Sequence, residues 1–158
     1  MNMAKRVGIA DVAVVRAPEQ LCCIGLGSCV AVFIYDPETR IGGVLHALLP
    51  RAPDGKRSDA KYADSGTRML HRMVISKGAN KRKLWAKLVG GARMFASLDI
   101  HIRDIGGENV RQAKKTLREL GVRIVAEDVE GNRGRSAYYS LEDGTITLKT
   151  AFSTDKEI

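Results

Sequence analysis

The spacing of apolar residues changes along the chain and separates helices from strands. From Asp59 to Lys77, residues Tyr62, Ala63, Gly66, Met69, Leu70, Met73 and Val74 recur at intervals of three and four, and Gly78 stands where a helix would be capped. An amphipathic helix is expected there. A second is expected from Glu108 to Leu120, with Val110, Ala113, Leu117 and Leu120 on one stripe and Gly121 behind it. Around this second helix the spacing drops to two. Leu84, Ala86 and Leu88 alternate ahead of Gly90-Gly91, and Val122, Ile124 and Ala126 alternate after Gly121. Ala137–Leu141 and Thr145–Phe152 flank Glu142-Asp143-Gly144 as a hairpin. Arg51–Ser58, with Pro53, Asp54 and Gly55, reads as a long loop, and the tail from Ser153 as loose.

The segment Cys23–Pro50 carries more information. Two apolar runs flank Asp36-Pro37, a pair suited to the first two positions of a type I turn. With Asp36 to Thr39 as the turn, the numbers of facing residues add to 75, which sets Cys29 opposite His46. A four-residue loop closed by Tyr35 and Arg40 keeps that register, whereas an odd loop would place the two side chains on opposite faces. Val30, Val32 and Ile34 form one face of the first run, while Ala31, Phe33 and Tyr35 share the face of Cys29. Both faces are apolar, so both need covering. Two helices supply one cover and a second sheet the other. The expected fold is α+β: a single-domain layered α/β/β sandwich, residues 1–158, with mixed sheets and two main helices.

Composition narrows the setting. A chain of 158 residues, 44% hydrophobic and 28% charged, suits one folded domain and excludes disorder as its main state. The longest uncharged stretch, Gln20–Tyr35, is interrupted by Gly25, Gly27 and Ser28 and is shorter than the ~20 apolar residues of a membrane-spanning helix, so stable membrane insertion is not expected. Asp11 and Arg16 break up what a secretory signal would need as a continuous apolar region. Cys22, Cys23 and Cys29 are odd in number and clustered, a poor disulfide framework, and a reducing, cytoplasmic location is expected. The net charge of +8 suits an acidic partner. Its basic residues are scattered without a nucleic-acid signature, so nucleic acid is not the expected partner.

Cys29 follows Gly25-Leu26-Gly27-Ser28, where small residues admit a substrate and the amides of Gly27 and Ser28 can face a developing oxyanion. With His46 as base, the set suits nucleophilic attack on a carbonyl. Plain alternatives stand beside it. A cysteine in an apolar strand is commonly inert core packing. A metal site from Cys22, Cys23, Cys29 and His46 lacks CxxC spacing, and no metal or organic cofactor is expected. His71 and His101 read as ordinary helix or surface histidines, and Trp85 and Phe95 as core residues. Gly25-Leu26-Gly27 falls short of a dinucleotide fingerprint.

These residues resemble the CheD family of chemotaxis proteins, chemoreceptor glutamine deamidases. The likeness rests on GLGSCVAV at Gly25–Val32 and GGVLHALLP at Gly42–Pro50, with cysteine and histidine seventeen residues apart. It continues through AKLVGGARMF at Ala86–Phe95 and through Glu108–Arg135. The resemblance implies that Cys29 is a nucleophile and His46 a general base and acid, converting glutamine side chains of chemoreceptor cytoplasmic domains to glutamate. It implies a second partner, the phosphatase CheC, which couples to phosphorylated CheY. Members commonly carry threonine six residues before the nucleophile as a third catalytic residue; here that position is Cys23. Two accounts of Cys23 are open: its main-chain carbonyl does the work, or the protein is a slower enzyme. The alternative function is an adaptor that binds receptors or CheC with little or no catalysis.

Overall fold

The structure is a computed structural model that describes residues 3–53, 59–94 and 103–158. Among the described residues, ten strands and two α-helices form three layers, the α/β/β arrangement expected.

The central layer is a mixed sheet built from β2 (Asp11–Arg16), β4 (Val30–Asp36), β5 (Ile41–Ala47), β6 (Trp85–Gly90) and β7 (Arg123–Val129), in the order β2-β5-β4-β6-β7. Its pairs are antiparallel except β6 with β7, which run parallel and are joined through a helical crossover. The outer sheet has the order β1-β3-β8-β9-β10, from β1 (Lys5–Arg6), β3 (Gln20–Leu26), β8 (Arg135–Ser140), β9 (Ile146–Lys149) and β10 (Lys156–Glu157). Helices α1 (Ala63–Lys77) and α2 (Ile105–Glu119) cover the other face of the central sheet.

Strand β4 explains why three layers are needed. Every one of its residues is buried. Val30, Val32 and Ile34 pack with Leu70, Val74, Val110 and Leu117 of the helices. Ala31, Phe33 and Tyr35 pack with Leu21, Tyr139 and Leu141 of the outer sheet side. The helices come close because the contact residues are small: a methyl group added at Gly66 of α1 would lie 2.7 Å from Leu45 Cδ1. Lys87 pins the sheets across their interface. Its ammonium donates to the main-chain oxygens of Gly144 (2.9 Å) and Ile158 (2.8 Å) and lies 4.7 Å from the Trp85 ring.

Several expectations shift. Helix α1 begins at Ala63 rather than Asp59, and α2 at Ile105, where the Asp104 carboxylate accepts from the Gly107 N–H. The end of the chain is not loose throughout: β10 pairs with β9, and Ile158 exchanges two main-chain hydrogen bonds with Ile146. Phe95, His101 and the end of the 51–58 loop lie outside the described residues. Trp85 is half-buried against the inter-sheet core.

Candidate active site

The β4–β5 hairpin closes differently from the expectation, and the difference moves His46. Its facing residues add to 77, so His46 is opposite Ala31 rather than Cys29. Asp36 causes this. Its carbonyl accepts from Arg40 N–H at 2.8 Å, and its carboxylate accepts from Glu38 N–H, the Thr39 hydroxyl and the N–H of Asn80 at 2.7 to 2.9 Å. Burial opposes ionisation of this carboxyl, yet these donors hold it below the ordinary carboxylate range. The loop is therefore Pro37–Arg40, with Arg40 in the left-handed region at φ 56°. A shift of two residues preserves the face. Cys29, one residue before the first pair of Val30 with Ala47, packs in the same inter-sheet cluster as Ala31, the residue that faces His46.

His46 is held from behind. It is 2% exposed, and its Nδ1 lies 3.0 Å from the carbonyl oxygen of Val7. A carbonyl can only accept, so Nδ1 carries the proton and Nε2 is the basic nitrogen. Nε2 is buried with no hydrogen-bond partner among the described residues. Burial lowers the affinity of His46 for a second proton; the Val7 contact opposes this, and nearby Arg6 adds to it. Val7 is fixed in turn, donating its N–H to the carbonyl of Cys22 at 2.8 Å.

Cys29 sits at the mouth of β4, also buried. Burial pushes its thiol above the usual value, and its own backbone N–H partly offsets the effect. The loop before it is tied down by its carbonyls: Gly27 accepts from Ala92 N–H (2.9 Å), Ser28 from Asn109 Nδ2 (2.8 Å) and Cys29 from Gly91 N–H (2.8 Å). In a trans peptide the N–H points away from the C=O of the same unit, so anchoring the Gly27 and Ser28 carbonyls turns the N–H groups of Ser28 and Cys29 to the other side. Gly90, at φ 103°, is required where it stands, because a Cβ there would collide with the Cys29 carbonyl. The side chain of Met94 lies over Gly27, and beyond it a cavity of about 190 Å³ is lined by Ser28, Arg93, Arg103 and Ile105.

Cys23 lies on β3 opposite Ala137, fully buried in the inter-sheet core. Burial, reinforced by Cys22 and Cys29, pushes its thiol up to about 12, so it is a neutral group. The group that orients the His46 ring is the Val7 carbonyl. His71 is on the buried side of α1, its Nε2 also without a partner among the described residues. Among the described residues no group of three or more metal-ligating side chains occurs, and no helix is long and apolar enough to cross a membrane.

Sequence reasoning missed Val7 and Asn109. Val7 acts through its main chain, which leaves no signal in residue type. Asn109 did leave one: it is a polar residue on the buried stripe that runs through Gly106, Val110, Ala113 and Leu117.

Comparison with known proteins adds independent findings. A family model described as CheD chemotactic sensory transduction matches residues 48–150, a span that begins after both Cys29 and His46. Relatives extend the match over the rest. A probable chemoreceptor glutamine deamidase CheD of Pyrococcus horikoshii is 46% identical over 146 residues, covering 91% of this chain and 90% of that protein. Proteins of the same description are 44% identical in Pyrococcus abyssi (94% of this chain, 93% of that one) and 43% in Caldanaerobacter subterraneus subsp. tengcongensis (92% and 91%). Among solved structures, the crystal structure of the Bacillus licheniformis hypothetical protein YfiH aligns with a TM-score of 0.45 at 15% identity, over 77% of this chain and 50% of that one, too loosely to bear on function.

Proposed function

The chain belongs to the CheD family, and from that premise we propose that it is a cysteine-dependent amidohydrolase that converts glutamine side chains of chemoreceptors to glutamate with release of ammonia. The observation that carries the mechanism is the state of His46: one ring nitrogen committed to Val7, the other buried with no partner among the described residues, on a ring that faces Ala31 of the cluster holding Cys29.

At rest both partners are uncharged, because burial raises the thiol and lowers the imidazole. Proton transfer therefore accompanies attack. Cys29 Sγ bonds to the glutamine Cδ as its proton passes to His46 Nε2, and the carbonyl oxygen becomes an oxyanion. The N–H groups of Ser28 and Cys29 face that charge, while Gly27 contributes its anchored carbonyl and the absence of a side chain. Collapse expels the amine, which takes the proton from His46 and leaves as ammonia. Water then cleaves the thioester with His46 Nε2 as base, and glutamate and free thiol result. Each cycle consumes one glutamine amide and one water.

Family membership also suggests the phosphatase CheC as a second partner, coupling the protein to phosphorylated CheY. The +8 charge gives acidic receptor helices a long-range attraction that added salt screens. The test is peptide mapping of a receptor cytoplasmic domain after incubation with this protein: Gln-to-Glu conversion is expected with wild type and is lost in Cys29→Ala. Equal, null results from both, with binding intact, would leave only the adaptor function.

A further inference from the structure

We infer that Asn109 is a positioning residue for catalysis: a single side-chain amide that clips together the main chain beside the nucleophile and the main chain beside the base. The inference rests on Cys29 and His46 being the reacting pair.

Asn109 lies in the first half of α2 and is fully buried. Its Nδ2 donates to the carbonyl of Ser28 at 2.8 Å and to that of Leu48 at 3.1 Å. Ser28 immediately precedes Cys29, and Leu48 is two residues beyond His46. An amide nitrogen has two protons, and both are used, one on each strand end. Hydrogen-bonded strand pairing closes at Val30 with Ala47, so the clip holds the segments that emerge beyond the last pair.

The contact with Ser28 has a directional consequence. The Ser28 carbonyl and the Cys29 N–H belong to one planar peptide unit and point in opposite directions. Fixing that oxygen on α2 aims the Cys29 N–H to the side of its own sulfur, where it supports a developing thiolate and the oxyanion after it. The rest of the peptide's surroundings fit this role. The start of α2 is seated against Gly91 and Ala92, whose N–H groups hold the carbonyls of Cys29 and Gly27.

Asn109 is a costly choice for packing alone. Asparagine is a weak helix former, its position faces a stripe of apolar residues, and its Oδ1 is buried without a partner among the described residues. Leucine would fill similar space without an unsatisfied oxygen, but it could donate to neither carbonyl.

The clip can be tested without receptor. Cys29 alkylation by iodoacetamide, followed by peptide mass spectrometry across a pH series, reads the thiolate directly. In Asn109→Leu the midpoint is expected to rise by about one pH unit, an about tenfold slower reaction at fixed pH. In receptor deamidation the same variant should lose about 10²-fold in kcat with KM within about twofold, the signature of misplaced reacting groups. Leu117→Ala, on the same buried face of α2 but further along, is the control: it lowers the melting temperature and leaves both profiles at wild type. Asn109→Ser, which keeps one donor, should fall between, and it carries the test if Asn109→Leu does not fold. A wild-type alkylation profile in a folded Asn109 variant, or the same displacement in Leu117→Ala, overturns the inference. If wild-type protein fails to deamidate receptor at all, the enzymatic reading fails while the alkylation comparison still decides the clip.

Discussion

The Nδ1 of His46 lies 3.0 Å from the carbonyl oxygen of Val7, across 39 residues of sequence. This contact fixes the tautomer, leaves Nε2 as the only basic position of the ring, and ties the base to an N-terminal segment that is itself bonded to Cys22. In the proposed mechanism a main-chain oxygen would do what an acidic or hydroxyl side chain does in other catalytic sets. Truncation that removes Val7 would free the ring, whereas substitution of Val7 by another apolar residue would keep the oxygen in place.

The Val7 contact bears on Cys23. With the ring already oriented, a hydroxyl at position 23 has no vacant role on Nδ1. Cys23→Thr is expected to change kcat by less than about threefold, a difference worth under ~1 kcal/mol in the barrier. A large increase in steady-state deamidation rate would instead identify Cys23 as an impaired third catalytic member.

With Cys29 and His46 as the reacting pair, burial favours the neutral form of each, and that sets the expected pH behaviour. The His46 value is depressed below 6.5, so the acid limb of kcat/KM, where the base becomes protonated, should fall below that pH. The Cys29 value is raised above 9.0, so alkylation of Cys29 should still be climbing past pH 9. Alkylation that saturates well below pH 9 would indicate a preformed thiolate–imidazolium pair and contradict this picture.

Stability should follow the same histidines. His46 and His71 are both depressed from 6.5 in the folded chain, chiefly by burial, so the unfolded chain binds protons first as the pH falls. Their contribution is complete above about pH 6.5 and is lost as pH drops through the folded values. Melting temperature should therefore decline from pH 7 to pH 5. His71→Leu, which removes one of the two groups, should flatten part of that slope in calorimetry.

Lys87, paired with Phe33 at the middle of β4, joins the two sheets. Replacing it by methionine keeps most of the apolar stem but leaves the oxygens of Gly144 and Ile158 without their charged donor. The expected loss in denaturant-measured stability is about 2–4 kcal/mol. A variant as stable as wild type would show that water replaces the ammonium without cost.

The layered fold was legible because β4 is apolar on both faces, a pattern that cannot be satisfied by one cover. Cys29 and His46 sharing a face was legible because the true register differs from the expected one by an even number. The register itself was not: it depends on the Asp36 carboxylate collecting three donors, one of them from Asn80, far along the chain. The pairing of Lys156–Glu157 was hidden for a similar reason, since two exposed charged residues become a strand only through the edge that β9 offers. Val7 contributes an oxygen common to every residue, so no sequence pattern could mark it. Asn109 could have been found as the polar interruption of an apolar helical stripe.

In the proposed mechanism Cys29 attacks the glutamine amide with His46 as its base. The direct measurement is mass-spectrometric detection of the acyl-enzyme on Cys29, using acid quench during turnover of a receptor cytoplasmic domain by wild type, Cys29→Ala and His46→Ala. A thioester-linked receptor peptide at Cys29 is expected in wild type and none in Cys29→Ala, with the rate of Gln-to-Glu conversion reduced by at least about 10³-fold in both variants. Undiminished conversion by Cys29→Ala would contradict that mechanism.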